Sequence, residues 1–242
     1  MELNICHLYP DLLNVYGDVG NILILKHRAE QRGIKVNIIN TSLNDEFDSE
    51  NTDILFFGGG QDFEQSIVSN DLKTIKKPSL QKYIEDEKVV IAICGGYQLL
   101  GKYYMAPNGE KIDGLGILDI YSEGGDTRFI GNTVIYNEDF NETYVGFENH
   151  SGRTYTNGLK PLGKCLHGYG NNGEDGNEGC IYKNTFCSYF HGSLLSKNPE
   201  LADRFLTIAL NKKYENVVLD PIDNTLELKA KDIMIKRLEN KK

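Results

Sequence analysis

The sequence predicts an α/β fold: a mostly parallel central sheet with helices on both faces, running into a more antiparallel second half. Short apolar runs alternate with stretches of helical period through the first hundred or so residues. Two of those runs end in glycine clusters. Beyond about residue 114, β-prone runs follow one another with Gly, Asn and Asp between them.

Leu3 to Leu8 reads as the first strand, and Asn21 to Arg32 as a helix with Ile22, Leu25 and Ala29 on one face, stopped by Gly33. Ile34 to Ile39 alternates as a second strand. Asp53 to Phe57 is an apolar strand ending in Gly58-Gly59-Gly60, with helical segments near 61–69 and 78–87 before the next strand, Lys88 to Ile93. The second half offers strands at Gly131 to Tyr136, Thr143 to Phe147, Cys180 to Tyr182 and Phe186 to Phe190, still joined to the first sheet. Gly168 to Gly179 formally contains GxGxxG, but no helical pattern follows, so a dinucleotide site is excluded and a mobile surface loop is expected. Pro199 to Asn211 and a C-terminal stretch at about 221–240 read as closing helices. No linker or repeat calls for a cut, so residues 1–242 are expected to form a single domain.

Lys and Arg number 26 against 35 Asp and Glu, a net charge of −9 that argues against a nucleic-acid partner. No apolar run approaches the roughly 20 residues of a membrane span, and Met1-Glu2-Leu3-Asn4 does not start as a signal peptide. The five cysteines are scattered, without CxxC or metal-ligand spacing. A cytoplasmic protein with no metal site is expected.

Cys94 stands out among the five. The buried strand Val89 to Ile93 runs straight into Cys94-Gly95-Gly96, and helix formers follow, Tyr97 to Leu100. Strand, sharp turn and helix present a nucleophile above a sheet edge, small neighbours are needed there, and the helix aims its N-terminal amides at the sulfur. Attack on a carbonyl also needs donors for the oxyanion; the Gly95 amide is the natural first, and the triple glycine that ends at Gly60 supplies the second. Of the five histidines, His191 closes a β-prone run and precedes Gly192, at a sheet edge where ligands bind, so it is the candidate base. His150, in Gly146-Phe147-Glu148-Asn149-His150, competes with it.

Ile93 to Gly101 together with Tyr189-Phe190-His191-Gly192 resembles the class I glutamine amidotransferase domain of the cobyric acid synthase type, and Gly146 to His150 is similar to a marker of the same group. The likeness runs from residue 3 to the C-terminal helix. It implies a flavodoxin-like fold and hydrolysis of L-glutamine through a Cys94 thioester, with His191 protonating the departing ammonia. It also implies that Arg128 holds the substrate, for which a guanidinium fork suits the α-carboxylate. Gln98, Glu148 and His150 are further pocket candidates; Glu148 and His150 could shape the pocket, orient His191 or stabilise a turn. Leu13 to Asn21, Phe147 to Tyr155 and Gly168 to Asn172 are similar to stand-alone members of the family that serve a Mur-ligase-like subunit in amidating the D-glutamate of lipid II.

One departure matters. Many class I amidotransferases carry a carboxylate two residues after the histidine, where this chain has Ser193. The orienting carboxylate is then expected from a partner subunit. The chain also lacks a GxxxxGK[ST] loop, so no cofactor is expected in it, and the ATP and Mg belong to a Mur-ligase-like partner in a heterodimer. Leu226, Ala230, Ile233, Met234 and Leu238 form an apolar stripe, expected to pack on the chain's own body, with partner docking the alternative. Other readings are amidation of a cobyrinic-acid-like or other small-molecule acid, a non-catalytic regulatory module, and a peptidase or hydrolase of the same superfamily.

Overall fold

In chain order, the first half runs β1 (Glu2–Leu8), α1 (Gly20–Glu30), β2 (Lys35–Thr41), β3 (Ile54–Phe57), α2 (Asp62–Asp71), α3 (Lys77–Glu85), β4 (Val89–Ile93) and α4 (Gly95–Leu100). The second half runs β5 (Tyr103–Met105), β6 (Lys111–Asp113), β7 (Tyr121–Asn137), β8 (Glu142–Tyr155), β9 (Gly163–His167), β10 (Asn177–Glu178), β11 (Cys180–Tyr182), β12 (Thr185–Ser188), β13 (Phe190–His191), α5 (Pro199–Tyr214) and α6 (Thr225–Glu239). The computed structural model describes residues 1–240.

The apolar runs form the first sheet, in the order β11-β12-β4-β3-β1-β2. Its four pairings from β12 to β2 are parallel, and only the edge strand β11 runs against its neighbour. Every residue of β3 and β4 is buried, as expected where a parallel strand is covered on both faces. Helices supply the cover: α1 buries Ile22, Leu25 and Ala29, and α5 buries Leu201, Phe205 and Leu206. The helical segments near 61–69 and 78–87 are joined by a π-helical turn, Leu72–Lys76, in which the buried Lys76 ammonium bonds Asp71.

β11 and β12 join the second half to the first sheet, while the other strands of that half form a second sheet. Its path is β10-β9-β7-β5-β6, with β8 paired to β7 and β13 paired to β8. β7 and β8 form a hairpin of 17 and 14 residues, far longer than the two short runs their sequence suggests, with a register break between Gly124 and Phe129. The two sheets meet where the chain leaves β12 at Ser188 and enters β13 at Phe190. One continuous apolar core extends across both halves, from Leu3 to Leu210.

Two expectations are corrected here. The glycine-rich segment from Gly168 to Gly179 is held in place and is not a mobile surface loop. The Glu148 carboxylate accepts the N–H groups of Tyr169 (2.9 Å) and Gly170 (3.0 Å). The buried Asn171 exchanges side-chain hydrogen bonds with both backbone groups of Gly179. Polar side chains thus replace the ladder that glycine-rich backbone would lack. The second correction concerns α6, which does not bury its apolar stripe: Leu226 is 78% exposed and Ile233 44%. Among the described residues of α6 only Lys231 is buried, and its ammonium is paired with Glu200.

Glu148 is fully buried, and its loss leaves two N–H groups of the segment without their acceptor. Glu148→Ala is expected to lower unfolding stability by about 3 kcal/mol, read from the urea midpoint. It should also open the chain to protease cleavage between 168 and 179; equal resistance of both proteins would contradict this account of the segment.

Candidate active site

The turn from β4 into α4 bends the chain at Cys94 with φ 48° and ψ −101°, a conformation that only strong surrounding constraint holds for a residue with a side chain. The constraint is visible in the contacts. The Cys94 N–H donates to Ser188 O of β12 (2.9 Å), and the Gly96 N–H donates to Gly58 O at the end of β3 (3.0 Å). Gly96 must be glycine: a Cβ there would stand 2.4 Å from Phe57 O. The turn therefore presents the Cys94 side chain at the carboxyl end of the parallel strands, in a cavity of about 370 Å³.

Parallel pairing brings the histidine to the cysteine. Ser188 of β12 lies beside Ile93 of β4, so three residues later His191 stands next to the residue that follows Ile93. A Cβ placed on Gly59 would be 2.7 Å from His191 Cε1 and 3.3 Å from Cys94 Cβ, which shows how closely the three residues converge.

The histidine's orienting group is Asp18, from the loop before α1. Its Oδ2 accepts from His191 Nδ1 at 3.1 Å, and both side chains are completely buried. The same carboxylate accepts the N–H groups of Gly59 (3.2 Å) and Gly192 (3.0 Å). A carboxylate supplied by a partner is therefore not needed, and that expectation is corrected. Ser193 does not take this role; it packs against the start of α1, where a Cβ on Gly20 would meet Ser193 Cβ at 2.8 Å. With Nδ1 engaged by Asp18, His191 Nε2 has no hydrogen-bond partner among the described residues and is left for the Cys94 side of the ring. Tyr16 covers the imidazole edge-on at 4.8 Å between ring centres.

Burial pushes the His191 pKa down. The charge of Cys94, the hydrogen bond with Asp18 and the Asp18 charge outweigh it and raise the imidazole to about 10. The geometry thus favours a proton on His191.

Two backbone amides beside Cys94 stand close together. Gly95 opens α4, and a Cβ on it would lie 2.9 Å from the nitrogen of Gly60. Among the described residues neither amide has a backbone acceptor, whereas the Gly59 amide is taken by Asp18. Gly60, and not Gly59, therefore keeps the free donor.

Arg128 reaches the same cavity from the register break in β7, where its guanidinium donates to the side-chain and backbone oxygens of Asn149, each at 3.1 Å. Gln98 and His150 also line it. Gln98 Nε2 donates to the Tyr189 hydroxyl (3.0 Å), and the His150 ring stacks on Tyr189 with centres 3.6 Å apart. His150 Nδ1 donates to Gly152 O at 2.8 Å, and burial pushes its pKa down, so it supports the cavity wall as a neutral ring. Glu148 does not line the cavity, and its placement among pocket residues is corrected: it anchors Tyr169 and Gly170 instead. Asp18 escaped sequence reasoning, although its signal lay in Leu13 to Asn21, where a lone Asp precedes a helix start in a run with family likeness.

The fold and this site define a class. The chain belongs to the CobB/CobQ-like glutamine amidotransferase family, whose model matches residues 4–199. Within that family it is similar to the lipid II isoglutaminyl synthase (glutamine-hydrolyzing) subunit GatD of Staphylococcus aureus strain N315, 44% identical across 100% of this chain and 98% of that one. The subunit of the same name from Streptococcus pneumoniae strain R6 is 55% identical over 88% of this chain and 82% of that one. Among solved structures, a glutamine amidotransferase from Thermotoga maritima superposes with a TM-score of 0.54 at 14% identity, covering 98% of this chain and 94% of that one. The α/β architecture is thus the flavodoxin-like class I glutamine amidotransferase fold.

A histidine raised to about 10 stays protonated through neutral pH, and what it adds to folding is full below its ordinary value of 6.5 and is lost as pH rises from there through 10. In a histidine titration followed by NMR, His191 should keep its proton to about pH 10, and Asp18→Asn should move that titration to lower pH. An unmoved midpoint in the variant would show that Asp18 does not hold the imidazole.

Proposed function

We propose that this chain is the glutaminase subunit of a two-subunit amidotransferase: it releases ammonia from L-glutamine and passes it to a MurT-like, ATP-dependent Mur-ligase subunit. There the ammonia amidates the D-glutamate of the lipid II stem peptide to D-isoglutamine. The reading rests above all on the line Cys94, His191, Asp18 at the strained turn, with the imidazole bonded to Asp18 at 3.1 Å. The relatives' names, each a glutamine-hydrolyzing subunit of a lipid II isoglutaminyl synthase, support the substrate and the partner. Five free cysteines and the absence, among the described residues, of a helix long and apolar enough to cross a membrane fit a cytoplasmic setting.

In this mechanism Arg128 binds the α-carboxylate of glutamine and directs the side-chain amide toward Cys94. The thiolate attacks the amide carbon, and the oxyanion is met by the N–H groups of Gly95 and Gly60. His191 gives its proton to the nitrogen as the C–N bond breaks, leaving a γ-glutamyl thioester and free ammonia. Water enters, His191 takes a proton from it, and the second oxyanion collapses to glutamate and regenerated Cys94. Asp18 keeps the imidazole in the one tautomer and tilt that serve both steps. ATP and Mg act on the ligase subunit and have no role in these steps.

With its orienting carboxylate in the same chain, the purified protein alone should release ammonia from glutamine. Cys94→Ala should abolish release, and Asp18→Asn should reduce kcat roughly 10²- to 10⁴-fold with the fold intact. Hydrolysis that survives in Cys94→Ala would end the thioester mechanism.

The exposed apolar face of α6 is the surface we assign to the ligase subunit, since Leu226 keeps 78% and Ile233 44% of its surface exposed. Replacing both by Asp is expected to leave the isolated chain's Tm within a few degrees of wild type. The same double variant should weaken co-purification with the ligase at least tenfold; a lowered Tm with unchanged pairing would make α6 part of the core.

A further inference from the structure

Two unlike charges share the walls of the Cys94 cavity without being paired to each other. Arg128 spends its hydrogen bonds on Asn149, a neutral side chain. Across the same cavity stands Asp62, the first residue of α2, which forms no salt bridge among the described residues. Burial pushes the Asp62 carboxyl up, and the Tyr104 hydroxyl and the charge of Arg128 only partly offset this. A carboxylate at a helix start is common for the helix dipole alone. That preference does not account for its lining a cavity that also holds a cation, with no salt-bridge partner of its own among the described residues. Each charge is kept apart from protein counter-ions, and both border the space next to Cys94 and His191. The volume, about 370 Å³, sits at the small end of ligand pockets, a scale that fits one free amino acid.

We propose that Asp62 receives the α-ammonium of the substrate while Arg128 receives its α-carboxylate, which makes Asp62 the residue that selects a free amino acid over other γ-amides. This rests on the glutaminase reading above. A zwitterion supplies both missing counter-ions at once. An amide lacking the ammonium leaves the half-buried Asp62 without a counter-ion, so rejection is built into the site. With the amide carbon at Cys94, the carboxylate at Arg128 and the ammonium at Asp62, three groups around Cα are fixed, and one enantiomer is chosen.

The test compares L-glutamine with glutaramate, the analogue in which hydrogen replaces the α-ammonium, using the chain together with its ligase subunit and reading ammonia release. Wild type is expected to favour glutamine by roughly 100-fold in kcat/KM. In Asp62→Asn the value for glutamine should fall roughly 30-fold, mostly through KM, while the value for glutaramate, which has no ammonium to lose, stays within about threefold. Asp62→Ser, whose side chain also suits a helix start, should give the same pattern. An equal fall on both substrates, or no fall on either, overturns the proposal, and unchanged Cys94 alkylation by iodoacetamide in the variants certifies that the site is folded. Wild type that releases ammonia from neither substrate overturns the glutaminase reading, and this inference with it.

Discussion

The Asp18 carboxylate holds the site together. It is buried, among the described residues it pairs with no lysine or arginine, and its two oxygens are shared among the His191 imidazole and the amides of Gly59 and Gly192. Those three groups belong to the loop after β3, the end of β13 and the turn that follows it, so one anion on the loop before α1 fastens segments of distant sequence at a single point. Such a charge is tolerable only if it is fully hydrogen-bonded and has a cation to face, and a protonated imidazole is that cation. The chain leading to it is shaped to present it: Asn14 accepts the Val19 N–H, and Asn21 bonds the Asp18 carbonyl and the Leu195 N–H.

The second constraint is the backbone at Cys94. Its φ of 48° is unfavourable for a cysteine, and three strands restrain it: β4 feeds it, β12 accepts its N–H through Ser188, and β3 receives the next turn through Gly58. Strain of this kind persists when its surroundings over-determine it, and here the parallel sheet does so. The electrostatic result follows from the placement. A sulfur at the start of α4 and an imidazole bonded to Asp18 meet where little water reaches, and the imidazole there is held in its protonated form.

Much of this was legible in the sequence. Apolar runs ending in glycine located β3 and β4, and strand-turn-helix around Cys94 followed from composition alone. His191 was found by its position at the end of a β-prone run. Asp18 was not, because a carboxylate that acts across 173 residues carries no local periodicity, and the usual place to look for it holds Ser193. The length of β7 and β8 was hidden for a related reason: both strands cross between buried and exposed surroundings, so their alternation breaks at Gly124 to Phe129 and only the apolar ends looked like strands. The loop from Gly168 misled in the opposite direction. Glycine and asparagine read as mobile until Glu148, Asn171 and Asn172 are seen to be buried.

The second sheet does more than enlarge the molecule, because its register ties substrate binding to the reacting pair. β13 pairs with β8 so that His191 lies opposite Phe147 and Phe190 opposite Glu148, while β7 pairs with the same β8 from its other side, Phe129 opposite His150. Arg128 precedes Phe129, and its guanidinium is fixed on Asn149 of β8. Histidine and arginine are therefore both measured from one strand. A slip of one residue in either pairing would turn that strand's side chains to the opposite face and separate the two groups. The first sheet has no part in that ladder, yet it carries Cys94, Gly60 and Asp62. The cavity thus lies between the two sheets, the first followed by Cys94, Gly60 and Asp62, the second bearing His191 and Arg128. The joint between them is the short step from Ser188 to Phe190, and the buried Glu178 accepts the Ser188 hydroxyl and the Tyr189 N–H at that step. Backbone that changes sheets has no ladder partner of its own, so a side-chain acceptor is what lets the crossing be buried at all.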